Sequence, residues 1–275
     1  MKIIDSFIFY NELDLLEYRL SILNEYVDFF ILVESTYTFT GKPKKLYYHE
    51  NMDRFNKFNH KIIYIKVTDF PYKELNMNYK ENHQWKNEYH QRCQIAFGLN
   101  QLIPYLNNDD IIITSDVDEI PNPAILQNIK NDTIHYDKNN LNRLELDMYY
   151  YNLKFRLGDG ANWHGIKLFN FDTYKQIKLT FQQMRVWEHT HHVHIIKNGG
   201  WHLSYFGDKE FIKNKIMAFS HQEYNNNHYL NDENLENALK NGINLIGGLD
   251  LQFIPINENR NLPPKYEIYL KQYYN

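Results

Sequence analysis

Asp116, Asp118 and Glu119 place three carboxylates within four residues of a 275-residue chain. Like charges so close repel one another. The simplest relief is a divalent cation, for which oxygen ligands select magnesium or manganese over zinc. A cation held there can also grip phosphate oxygens, stabilising a departing diphosphate as a Lewis acid. Two acids separated by one residue are common by chance, so the context decides. Ile111-Ile112-Ile113 runs into the cluster and Ile120-Pro121 follows it, which reads as a strand buried on both faces that stops at the acids. In open α/β sheets ligands bind beyond the carboxyl ends of the strands, where these acids would stand.

The elements that must position the acids alternate between strand and helix. Residues 2–9 read as a strand, after which Asn11 can cap a helix carrying Leu13, Leu16, Leu20, Leu23 and Val27 at helical spacing. Apolar runs at 29–33, ending at Glu34-Ser35, and at 62–67 read as further strands, and 83–106 as a long helix stopped near Pro104. This order predicts an α/β fold with a mostly parallel central sheet flanked by helices. After Pro121 the pattern is mixed: strands at 142–152 and 164–171, a turn at Gly158 to Gly160, and helices at 208–219 and 232–241. No repeat or linker divides the chain, so residues 1–275 are expected as a single domain whose halves, 1–121 and 122–275, share one core.

Composition narrows the function classes. With 43% apolar residues, 23% charged residues and a net charge of -4, the chain can bury a core and keep a mixed surface. Lys and Arg (30) fall short of Asp and Glu (34), which argues against a nucleic-acid partner. Cys93 is the single cysteine, leaving no intrachain disulfide or cysteine zinc site, and it reads as a buried small hydrophobe on a helix. His189, His191, His192 and His194 resemble a zinc cluster, but strand alternation sends them to opposite faces. No run approaches the ~18 apolar residues of a membrane span, and Met1 to Asp5 lacks a signal-peptide core, so a soluble, cytoplasmic protein is expected.

Ser115-Asp116-Val117-Asp118-Glu119-Ile120-Pro121 resembles the D-x-D-E-I-P segment of glycosyltransferase family 17. Phe9-Tyr10-Asn11-Glu12-Leu13-Asp14-Leu15-Leu16 with Arg19, and Val27-Asp28 through Glu34-Ser35, Thr38-Phe39 and Gly41, resemble its amino-terminal pattern. Gly200-Trp201-His202-Leu203-Ser204, with Glu210-Phe211-Ile212 and Lys215, resembles its carboxy-terminal pattern, and Leu262 to Tyr266 its final segment. The resemblance implies a GT-A type nucleotide-diphospho-sugar transferase fold. It also implies an inverting mechanism, manganese or magnesium, a UDP-sugar donor (N-acetylglucosamine in the animal members) and a carbohydrate or glycan acceptor. Residues 1–121 would then bind the nucleotide sugar and 122–275 the acceptor.

Carried over by position, Asp118 is the principal metal ligand. Asp116 reaches the metal through water or holds the ribose, and His202 completes the set with His221 as the alternative. Glu210 is the expected proton acceptor, with Asp208 and Glu119 as alternatives. Asn11, Glu12, Glu34, Ser35 and Arg92 would meet uridine, ribose or phosphate. Tyr149, Tyr150, Tyr151, Trp163 and Trp187 could stack on sugar rings, although aromatics at strand spacing usually belong to a core. Two rival classes would use the same features. One is a phosphotransfer or nucleotidyltransfer enzyme; the other is a carbohydrate-binding protein without catalysis.

Overall fold

A computed structural model of the protein describes residues 1–158, 162–186, 193–246 and 248–274. Gly160, Trp187, His189, His191 and His192 lie outside the described residues. Within them, ten strands join in one sheet. In chain order they are β1 (Ile3–Phe9), β2 (Phe29–Ser35), β3 (Ile62–Val67), β4 (Ile111–Asp116) and β5 (Glu119–Pro121), then β6 (Asn142–Tyr150), β7 (Phe155–Leu157), β8 (Lys167–Asn170), β9 (His194–Ser204) and β10 (Leu251–Phe253). The sheet runs β10-β7-β6-β8-β4-β1-β2-β3, and β9 pairs with β6 and β5.

The first half is parallel as expected, β3, β2, β1 and β4 running side by side. The second half departs from a mostly parallel sheet. β8 enters antiparallel between β4 and β6, and β7, β10 and β5 also pair antiparallel. For β7 the reason is connection length. Only four residues separate β6 from β7, whereas a parallel return needs a crossover of about a dozen residues.

β4 is buried on both faces, as its isoleucines imply. Ile111 and Ile113 join one core with Phe7, Leu16 and Leu20. Ile112 joins the other with Ile4, Ile31, Ile95 and Leu99. Each such side chain contributes roughly 1.5–3 kcal/mol by burial, which fixes the strand and the position of its end. The helix Leu13–Leu23 supplies the first core. Its N-cap is Glu12 rather than Asn11.

The long helix expected over 83–106 is broken into His83–Cys93, Ile95–Leu102 and a 3-10 turn, Ile103–Tyr105. Cys93, half-buried, ends the first of these. The helices Lys209–Ala218 and Asp232–Asn241 fall where the sequence places them. Among the described residues no helix is long and apolar enough to cross a membrane.

Candidate active site

β4 ends at Asp116, and β5 begins at Glu119 after only two intervening residues. A fully buried arginine sets this turn. Arg19 forms a fork with Asp5, Nε to Oδ2 at 2.8 Å and Nη2 to Oδ1 at 2.6 Å. Its Nη1 donates to the carbonyls of Asp116, Val117 and Glu119, and Nη2 to Ser115 Oγ. With those carbonyls drawn toward the core, the side chains of Asp116, Asp118 and Glu119 line a cleft of about 840 Å³. Arg19 belongs to the family-like pattern, but nothing in its local sequence announces this role.

β9 brings the fourth group. Glu119 stands opposite His202 in the β5–β9 pairing, and Leu203 N donates to the Asp118 carbonyl at 2.9 Å. Gly200 opposite Pro121 is required, since a Cβ there would meet the Ile120 carbonyl. His202 Nε2 thereby lies 3.7 Å from Asp118 Oδ1. Its Nδ1 is buried with no hydrogen-bond partner.

Cations neutralise the acids from other elements. Lys215, on the helix Lys209–Ala218, sits 2.7 Å from Asp118 Oδ2 and 3.0 Å from Glu12 Oε1. Arg185, at the end of the helix Phe181–Arg185, grips Glu119 at 2.6 Å and Asp116 at 3.1 Å. Arg92 holds the other Asp116 oxygen at 2.6 Å, with Glu88 at 2.9 Å. Burial opposes ionisation of Asp118, but Lys215 and His202 outweigh it and hold the carboxyl far below the usual range. At Glu119 Arg185 likewise overcomes burial and brings the pKa to about 2. At Asp116 burial prevails over both arginines and the pKa is raised.

The structure brings Glu12, Asp116, Asp118, Glu119 and His202 together on the cleft. Arg92 stands behind them, fully buried. Glu34 lies outside the lining, held by Lys44, Tyr64 and the Tyr48 amide. Ser35 caps a turn by accepting from Tyr37 N, and Asn11 does not reach the cleft.

The expected proton acceptors are engaged with other groups. Glu210 is 69% exposed and pairs with Lys213, and Asp208 caps its helix by accepting from Phe211 N; neither lines the cleft. Glu119 is completely buried, bound to Arg185 and to the Trp163 indole N–H. His221 does line the cleft, but pairs with Glu223 at 2.6 Å rather than with Asp118. Trp163 and Tyr150 also line it, whereas Tyr149 and Tyr151 belong to cores.

Among the described residues no three His, Cys, Asp or Glu side chains are grouped to hold a metal ion. Asp116 pairs with two arginines, Arg92 and Arg185. Asp118 and His202 do face each other. One carboxylate and one imidazole suit a divalent cation that fills its remaining positions with water and phosphate oxygens.

These features define an α/β fold with a cleft at the carboxyl ends of parallel strands. The chain belongs to glycosyltransferase family 17, whose sequence model matches residues 1–254. β-1,4-Mannosyl-glycoprotein 4-β-N-acetylglucosaminyltransferases from Rattus norvegicus and Homo sapiens are each 29% identical to it over 122 residues, 44% of this chain. The match spans 22% of those relatives' length. A solved inositol-1-phosphate CTP transferase from T. maritima overlaps 77% of this chain and 94% of its own, at 12% identity and a TM-score of 0.38. So low a TM-score carries no argument about function.

Proposed function

We propose that this chain transfers N-acetylglucosamine from a UDP donor to a glycan acceptor with inversion at the anomeric carbon, on a fold of the GT-A type. In this reading residues 1–121 carry the donor and 122–275 the acceptor. The observation that carries it is the convergence of Asp116, Asp118, Glu119 and His202 with Lys215 and Arg185 on one cleft. Manganese or magnesium, held by Asp118 and His202, would supply Lewis-acid stabilisation of the diphosphate oxygens.

The remaining roles belong to the chain itself. Lys215 and Arg185 add fixed positive charge where negative charge grows on the leaving group. Glu12, its Oε2 accepting the amides of Tyr10 and Asn11 at 3.3 and 3.0 Å, is preorganised to receive a donor hydroxyl. Tyr37 and Phe39 line the cleft from the loop after β2 and keep water from the nucleotide.

Inversion also needs a group to take the acceptor's proton. Every carboxylate lining the cleft already faces a cation: Glu12 and Asp118 face Lys215, Glu88 faces Arg92, and Asp116 and Glu119 face Arg185. Such pairing weakens a base. His221, oriented through Nδ1 by Glu223, has no such cation and takes the role of proton acceptor in this reading.

The test is UDP release from UDP-N-acetylglucosamine with and without manganese, in the wild type and Asp118→Asn. Manganese-dependent release that disappears in the variant supports sugar transfer. Cleavage of phosphodiesters in its place would favour phosphotransfer, and glycan binding without any release would favour a non-catalytic lectin-like role.

A further inference from the structure

The lysines and arginines among the cleft-lining residues are Lys44, Arg143, Arg185 and Lys215. Three face carboxylates: Lys44 lies 3.4 Å from Glu34, Arg185 2.6 Å from Glu119, and Lys215 2.7 Å from Asp118. Arg143 differs. It is half-buried on β6, its side chain makes no hydrogen bond or ion pair with any of the described residues, and its Nε is buried without an acceptor.

A guanidinium has five donors in a planar fork that matches a phosphate or carboxylate, and a buried unmet donor is costly to keep. An oxyanion brought by a ligand would supply the missing acceptor. Beside Arg143 runs the segment Trp163–Lys167, with Arg143 paired to Lys167 and Leu146 to Trp163. Trp163 lines the same cleft and is 37% exposed, offering a ring face on which a sugar can stack. Neither residue lies on the parallel strands β1 to β4 or the loops that follow them, where the reading above seats the donor.

We propose that Arg143 receives a phosphate or carboxylate carried by the acceptor, so that the acceptor is a charged sugar rather than a neutral one. The inference rests on the sugar-transfer reading for the word acceptor. The donor diphosphate is the other oxyanion that enters this cleft, and the experiment must separate the two.

A ligand-observed NMR titration does so without turnover, using glucose 6-phosphate, glucuronate and glucose as probes, and UDP in a separate series. Wild type is expected to bind the two charged sugars roughly tenfold more tightly than glucose, a single well-formed ionic contact. In Arg143→Gln that preference should shrink to within about twofold while UDP affinity stays within about twofold of wild type. Arg143→Lys, which keeps the charge but not the fork, should retain part of the preference. An unchanged unfolding midpoint shows that the variants are folded.

The proposal is overturned if wild type does not distinguish charged from neutral sugars. It is overturned equally if Arg143→Gln loses UDP affinity as fully as charged-sugar affinity, which would assign Arg143 to the donor. A wild type that prefers charged sugars yet binds no UDP supports the role of Arg143 and refutes the donor reading instead.

Discussion

Arg19 Nη1 donates to the Glu119 carbonyl at 2.6 Å while its other nitrogens hold Asp5, so one buried side chain ties the first strand to the turn that carries the acids. Arg19→Met would leave Asp5 charged, buried and unpaired. Breaking one side of such a pair costs about 3–5 kcal/mol, readable by urea unfolding. Arg19→Met combined with Asp5→Leu should recover part of that loss, because no uncompensated charge remains. A loss below about 1 kcal/mol in the single variant would show the clamp to be dispensable.

Acid should weaken the fold through Glu119. Its folded pKa, about 2, is below the ordinary 4.5, so its ionised form contributes stability above pH 4.5 that is lost as the pH falls toward 2. Two to three pKa units correspond to roughly 3 kcal/mol. Glu119→Gln should therefore be less stable than wild type at pH 7, with the gap closing on acidification across that window. A gap independent of pH would rule out ionisation as its source.

Gly165 accepts from Arg185 through its carbonyl, and a Cβ on it would meet Glu119 Oε1 and Arg185 Nη1. Gly165→Ala is expected to cost roughly 1–3 kcal/mol by forcing the buried Glu119–Arg185 pair out of its geometry. Gly158→Ala is the control, since among the described residues its Cβ would touch only the Gln252 side chain, the nearest atom 3.3 Å away. Its effect should stay within about 0.5 kcal/mol. Equal thermal shifts for the two variants would refute the crowding argument.

For the proton acceptor, His221→Ala should lower single-turnover transfer by about a hundredfold or more while UDP binding persists. Glu210→Gln should stay within about twofold of wild type, because Glu210 faces solvent beside Lys213. The reverse pattern would return the role to Glu210.

What was legible in the sequence was what local spacing encodes. Three isoleucines followed by acids give β4 and its end because burial and charge follow one another along the chain. The partners of those acids were not legible, because they arrive from far away: Lys215 is 97 residues from Asp118, and Arg185 is 66 from Glu119. Arg185 has no local signal at all.

Glu210 could have been judged better from helical phase. Ile212 and Ile216 mark the buried side of its helix, Lys215 lies close to them, and Glu210 is most of half a turn from Lys215. Within the mixed second half, three strands were not legible for another reason. β7 and β10 have three residues each, too few for alternation to show, and β9 carries glycines where alternation would otherwise be read.

The pairing of β9 with both β5 and β6 makes the chemistry sensitive to parity. Strand side chains alternate sides, so a single residue added or removed between Gly200 and His202 would present Trp201 or Leu203 to the acids and turn the imidazole outward. A two-residue slip keeps the correct side but moves the ring by roughly 7 Å along the strand. Length changes of one residue in this stretch are thus expected to silence the enzyme while leaving a folded sheet.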